Sequence, residues 1–184
     1  VDSKFGTAIE TGQAEEFIAY TLTKKNVQLD GFHCHIGSQI FDIEPFCDAA
    51  DLMLEFIAHI RDSLGYTANI LNLGGGFGVR YVESHPEIDI PKNIAEISEH
   101  IRSASKKFSI PMPKILMEPG RSIVADAGIT LYTVGSVKTI TGYKSYVSVN
   151  GGMTDNPRYA LYQSEYSIFV AKSSMQGSSP RSTK

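Results

Sequence analysis

An α/β fold with a parallel sheet, followed by a β-rich region, is the architecture this sequence predicts. Three observations predict it. Short apolar runs that read as buried strands alternate with longer segments of helical periodicity. Each of those runs ends in glycine beside a residue that can bind charge: HCHIGSQ at 33–39, NLGGGFG at 72–78 and EPGR at 118–121. Beyond about Gly128 the helical repeat stops and the text turns β-rich. Chemistry at the C-terminal ends of strands suits both an open doubly wound sheet and a (β/α)8 barrel. Periodicity alone does not separate the two.

Residues 13–25 place Ala14, Phe17, Ile18 and Leu22 on one helical face. GFHCHI at 31–36 reads as a strand, and a turn-rich stretch then runs to Pro45. Proline suits a first helical turn, where its missing N–H costs nothing. Phe46, Ala50, Met53, Ile57, Ile60 and Leu64 continue a helical repeat, and Gly65 is its stop signal. NILNL at 69–73 is a short strand leading straight into three glycines. Pro91 opens a further helix with Ile94, Ile97, Ile101, Ala104 and Phe108 on one face, and KILM at 114–117 is a strand leading into EPGR. ITLYTVGSVKTI at 129–140 and YKSYVSVN at 143–150 have strand composition and start a separate β domain. The stretch 171–184, AKSSMQGSSPRSTK, is polar and aperiodic, and is expected to be a disordered or foreign tail.

At 184 residues the chain is long enough for one or two domains with a real core. A net charge of −3 with scattered Lys and Arg carries no nucleic-acid footprint. No apolar run approaches the roughly 20 residues that span a membrane. No basic, apolar, small-residue succession marks a secretory signal at the N-terminus, which opens on valine. Cys34 and Cys47 are too few for a disulfide framework, so reduced thiols in a cytoplasmic protein are expected.

Taken phrase by phrase, the chemistry is as follows. His33 and His35 stand two apart on a strand and face the same way. No third ligand is evident nearby, so no metal site is expected, and a packed core histidine is the plain reading of His33. His35 differs, because Gly37 and Ser38 follow it with a flexible turn and a hydroxyl. In GGGFG the backbone N–H groups of Gly75 and Gly76 can approach an anion with no Cβ in the way. The bland alternative is a tight strand-to-loop turn. Glu118 and Arg121 could be a weak surface pair, or a carboxylate and a cation delivered to a site. Arg158 and Tyr162, in GGMTDNPRYALY at 151–162, stand four apart, so one helical turn sets a guanidinium beside a phenol. Such a pair can bind a carboxylate.

In this order and spacing, from about Lys4 to about Ala171, the four phrases resemble the diaminopimelate decarboxylases. These belong to the fold-type III, alanine-racemase-like, pyridoxal-phosphate-dependent decarboxylases. The resemblance implies a (β/α)8 barrel, with 1–128 as the C-terminal part of the cofactor-binding barrel and 129–170 as the start of the β-rich domain. It also implies pyridoxal 5′-phosphate as cofactor, with His35 stacked on its ring, Ser38, Gly75, Gly76 and Gly120 at its phosphate, and Glu118 on its ring nitrogen. Arg121, Arg158 and Tyr162 then serve the amino-acid substrate. Asn150 departs from the aspartate that family members often carry.

The family's Schiff-base lysine matches no residue here, since Lys4 belongs to the KFG phrase that follows it, and neither cysteine has the acidic, glycine-flanked setting of the family's catalytic cysteine. No catalytic residue is therefore assigned within the chain. The chain is expected to be an internal portion of a homodimeric enzyme and inactive alone, since each family site is completed by a cysteine-bearing segment from a partner subunit. A decarboxylase of the same fold acting on arginine, ornithine or carboxynorspermidine is the nearest alternative. A non-catalytic barrel that binds the cofactor or another organic phosphate is the alternative of another class.

Overall fold

A computed structural model of the chain describes residues 5–171. They divide into two units, one of 5–79 with 87–125 and the other of 80–86 with 126–171. The change of texture in the sequence falls at 128/129, and no pattern in the sequence marks the excursion at 80–86. Residues 172–184, most of the expected tail, lie outside the described residues.

In the first unit α1 (Gln13–Leu22) starts after Gly12, whose φ of 78° is left-handed, and carries Glu15 and Glu16 in its first turn. There the helix dipole favours negative charge. Ala14 and Ile18 are buried, whereas Phe17 is 60% exposed and Leu22 is exposed, so the expected four-residue face holds for two of its members. The long helix α2 (Glu44–Leu64) takes Pro45 in its first turn. It ends at Gly65, which has a φ of 68° and donates its N–H to Arg61 O. Helix α3 (Ile90–Lys107) is capped by the Asp89 side chain, which accepts the Lys92 N–H at 2.9 Å, and has Pro91 in its first turn.

Strands β1 (Gly31–His33), β2 (Ile70–Asn72) and β3 (Lys114–Leu116) lie side by side in that order, all parallel, with Phe32 opposite Leu71 and Leu71 opposite Ile115. Each is shorter than the apolar run that predicts it. Past the strand ends the ladder continues through single bonds as the chains splay: Cys34 N–H to Asn72 O at 2.9 Å, Leu73 N–H to Leu116 O at 3.1 Å, Glu118 N–H to Gly74 O at 2.8 Å. Parallel neighbours need a crossover, and α2 and α3 supply the two required.

The core lies between these helices and one face of the sheet. Phe46, Ala50, Met53, Leu54 and Ile57 of α2 and Ile97, Ile101 and Ala104 of α3 close over Leu71, Leu73 and Phe77. Strand alternation then turns His33 and Asn72, the neighbours of Phe32 and Leu71, to the opposite face. His33 is not the packed core residue expected: its side chain is 52% exposed. The reason is its parity in the strand, which sets it opposite Asn72 rather than over the helices.

The second unit is built on an antiparallel hairpin, β4 (Val134–Ile140) and β5 (Lys144–Val149), with a register shift between Val134 and Val137 and Gly142 left-handed in the turn. All its strand side chains are exposed among the described residues. The segment 80–86 joins this unit through hydrogen bonds no sequence pattern announces. Ser167 Oγ donates to Tyr81 O at 3.1 Å, and Ser84 Oγ meets Glu165 Oε2 at 3.5 Å. A one-turn helix, α5 (Arg158–Tyr162), follows.

Two apolar helix residues that look alike in sequence should behave oppositely. Ile57 is wholly buried, so Ile57→Ala is expected to cost about 2–5 kcal/mol. Phe17→Ala should stay within about 0.5 kcal/mol. Urea denaturation of the two variants measures both.

Candidate functional site

The open face of the parallel sheet ends in three loops, one after each strand, and glycine brings them together. A Cβ at Gly75 would lie 2.1 Å from Glu118 O, one at Gly76 would lie 2.5 Å from Gly37 O, and one at Gly74 would lie 2.7 Å from Cys34 O. No side chain fits at such separations. The glycines are therefore required by loop-on-loop contact, a constraint separate from the anion role expected of Gly75 and Gly76. The β1 loop also pairs again with the β2 loop further out: Ile40 N–H donates to Gly76 O at 2.9 Å and Gly78 N–H to Ile40 O at 2.8 Å. Gln39, held at a φ of 60°, clamps the same junction with its side-chain amide, which donates to Val79 O at 3.1 Å and accepts the Val79 N–H at 2.8 Å. Two hydrogen bonds offset the cost of that left-handed backbone.

This contact sets His35, Gly75 and Glu118 next to one another. Gly75 N–H reaches His35 Nδ1 at 3.4 Å, a long bond that requires Nδ1 unprotonated and leaves Nε2 as the other ring position. Glu118, after β3, has an exposed carboxylate, and its Oε1 accepts a hydrogen bond from Asn72 Nδ2 at 2.8 Å. His33 Nε2 lies 3.7 Å from the same oxygen. Asn72 Oδ1 accepts the Gly74 N–H at 2.8 Å. Asn72 and Gln39 were not singled out from the sequence. Both lie inside quoted phrases, but their partners are 46 and 40 residues away.

The remaining residues fall as follows. Ser38 is exposed in the β1 loop, one residue after the Gly37 carbonyl that crowds Gly76. Gly120 spends its N–H on Glu118 O at 2.8 Å across Pro119, whose φ of −78° and ψ of 41° form an inverse γ-turn. The expected N–H donation from Gly120 to a phosphate is thus taken up internally, and what Gly120 contributes is space, since a Cβ there meets nothing within 4 Å. Arg121 is half-buried in the short helix α4 (Gly120–Val124). Arg158 and Tyr162 belong to the second unit, where the guanidinium carbon stands 5.5 Å from the phenol ring centroid, the side-by-side placement a helical turn requires.

Cys34 and Cys47 are free, and burial pushes both thiols up from their ordinary value, with nearby carboxylates adding to the rise at Cys47. A raised thiol is a poor nucleophile at neutral pH. Among the described residues no cluster of three or more His, Cys, Asp or Glu could hold a metal ion.

The family model of the pyridoxal-dependent decarboxylases, pyridoxal binding domain, matches residues 1–125. The chain is 45% identical over 170 residues to a diaminopimelate decarboxylase of Bacillus subtilis, covering 92% of the chain and 39% of that protein. It therefore spans well under half the length of this relative. The structure of diaminopimelate decarboxylase from m. jannaschi is similar with a TM-score of 0.76 at 34% identity, over 91% of the chain and 37% of the other. That of Helicobacter pylori, complexed with L-lysine, is similar with a TM-score of 0.73 at 31% identity, over 93% and 40%.

Loop contact predicts a contrast between two glycines. Gly75→Ala must displace the Glu118 loop and is expected to cost about 1–3 kcal/mol. Gly120→Ala should change stability by no more than about 0.5 kcal/mol. Denaturation midpoints of the two variants check the contrast.

Proposed function

The chain belongs to the pyridoxal-dependent decarboxylases, and on that premise we propose that the whole protein converts meso-diaminopimelate to lysine and CO2 with pyridoxal 5′-phosphate as cofactor. The observation that carries this reading is the meeting of His35, Gly75 and Glu118 at the ends of adjacent parallel strands. It occurs in a chain 45% identical to a diaminopimelate decarboxylase.

The residues present fit that cofactor. An exposed imidazole offers a flat face to an aromatic ring. An exposed carboxylate, steadied on one oxygen, can accept the ring N–H with the other. The Ser38 hydroxyl and the Gly76 N–H are the donors for the phosphate in this reading, with Gly75 holding His35 and Gly120 leaving space. Bound pyridoxal phosphate supplies the electron sink that takes up the pair released when the bond to the leaving carboxylate breaks. Glu118 would accept the ring N–H and so hold the proton at that nitrogen. Arg121 and Arg158 would hold carboxylates, and Tyr162 would add a hydrogen bond. Diaminopimelate has a second amino-acid end that ornithine and lysine lack, so it calls for these additional donors.

In the same reading the three parallel strands are part of a (β/α)8 barrel, with residues 1–128 as its share, and 129–170 begin a β-rich domain. The consecutive parallel order with helical crossovers supports the first part. The antiparallel hairpin of the second unit supports the other. A homodimer in the cytoplasm completes the proposal. No helix among the described residues is long and apolar enough to cross a membrane.

The test is to supply the whole protein with pyridoxal phosphate and to measure CO2 release from meso-diaminopimelate, ornithine, arginine and carboxynorspermidine. Diaminopimelate should be preferred and lysine should accumulate; preference for another substrate overturns the assignment. Arg158→Ala is expected to lower kcat/KM for diaminopimelate by about one and a half to three and a half orders of magnitude, the loss of a charged hydrogen bond out of water. Cofactor affinity, read by titration, should hold.

A further inference from the structure

Asn72 has both ends of its amide engaged, and the two partners lie on different loops. Oδ1 accepts the Gly74 N–H and Nδ2 donates to Glu118 Oε1, each at 2.8 Å. Only one of the two amide orientations can satisfy both, because a carboxylate needs a donor and an N–H needs an acceptor. The Gly74 bond thus selects which edge Asn72 shows to Glu118. On the neighbouring strand, in register with Asn72, His33 brings Nε2 to 3.7 Å from the same Oε1. Glu118 itself is an exposed side chain. Its Oε1 is occupied from β1 and β2, which leaves Oε2 to face whatever enters the site.

We propose that Asn72 is a positioning residue for the decarboxylation, orienting Glu118 so that Oε2 meets the cofactor ring nitrogen. This rests on the reading of Glu118 as the ring-nitrogen partner. A donor on Oε1 holds the carboxylate in one orientation, so that Oε2 would be presented to the ring N–H. Without Asn72 the carboxylate turns freely, and the ring nitrogen would less often meet Oε2 as the acceptor that holds its proton in place. The sink weakens while substrate binding is untouched.

The experiment uses the whole protein loaded with pyridoxal phosphate carrying nitrogen-15 in the ring, whose resonance reports protonation of that nitrogen. Asn72→Ala removes the amide and with it the fixed orientation of the donor, and Asn72→Leu puts an apolar side chain of similar size in its place. Both are expected to bind cofactor and to move the ring resonance toward its unprotonated value. They should lower kcat roughly 10- to 100-fold, the loss of a hydrogen bond to a charged group, with KM changing little. If Asn72→Leu does not fold, Asn72→Ala carries the test alone, since water can serve the Gly74 N–H there.

A ring resonance like that of the parent protein in Asn72→Ala, or a defect confined to weaker cofactor binding, overturns the proposal and leaves Asn72 a loop brace. Glu118→Gln separates this failure from failure of the parent reading. If it moves the ring resonance and the Asn72 variants do not, only the Asn72 inference falls. If it too leaves the resonance in place, Glu118 is not the ring-nitrogen partner.

Discussion

The first unit depends on how closely the loop after β2 can lie between the loops after β1 and β3. With a Cβ at Gly75 standing 2.1 Å from Glu118 O, and one at Gly76 2.5 Å from Gly37 O, the distance between these loops is set by the absence of side chains. The hydrophobic core holds the loop at that distance. Phe77, directly after the glycines, is buried with its ring stacked on Phe46 at 4.5 Å between centroids, and Phe46 opens the buried stripe of α2. Burying these two rings against each other anchors the glycine turn to the longest helix. The His35 ring, the Asn72 amide and the Glu118 carboxylate are neighbours as a consequence of that packing, and their chemistry follows from it.

Glycine serves a different purpose in the second unit. A Cβ at Gly151 would come within 1.9 Å of Tyr132 Cε1, so the turn into GGMTDNPRYALY passes under an aromatic ring. Asp155 Oδ2 then accepts the Gly152 N–H at 2.8 Å, and Asn156 Oδ1 accepts both the Arg158 N–H at 3.3 Å and the Tyr166 hydroxyl at 3.1 Å. The small polar residues of the phrase fold the backbone, and in doing so they present Arg158 and Tyr162 together.

Much of the fold was legible because it is written in local periodicity. The stripe from Phe46 to Ile60, the stop at Gly65, and the alternation of strand and helix are each encoded within a few turns of chain. Exposure of Phe17 was not legible. Periodicity reports which residues share a face, whereas burial depends on whether another element covers that part of it. The wrong expectation for His33 has the same origin. A histidine in an apolar run reads as core, and only the pairing of β1 with β2 decides which way it points. At the site, the strand-end residues stood out by type and position, while Asn72 and Gln39 did not. Their bonds across the loops join residues 40 or more apart and leave no mark on neighbouring sequence. The exclusion of a side chain at Gly75 is likewise due to a contact with a carbonyl far along the chain.

The central claim is that these three loops form a pyridoxal phosphate site with Glu118 on the ring nitrogen and His35 against the ring. Determining the structure of the whole protein with the cofactor bound tests it most directly. The account predicts Glu118 Oε2 within hydrogen-bond distance of the ring nitrogen, the His35 ring on one face of the cofactor, and the phosphate beside Ser38 and Gly76. A cofactor bound with its ring nitrogen turned away from Glu118, or seated away from the ends of β1, β2 and β3, would contradict it.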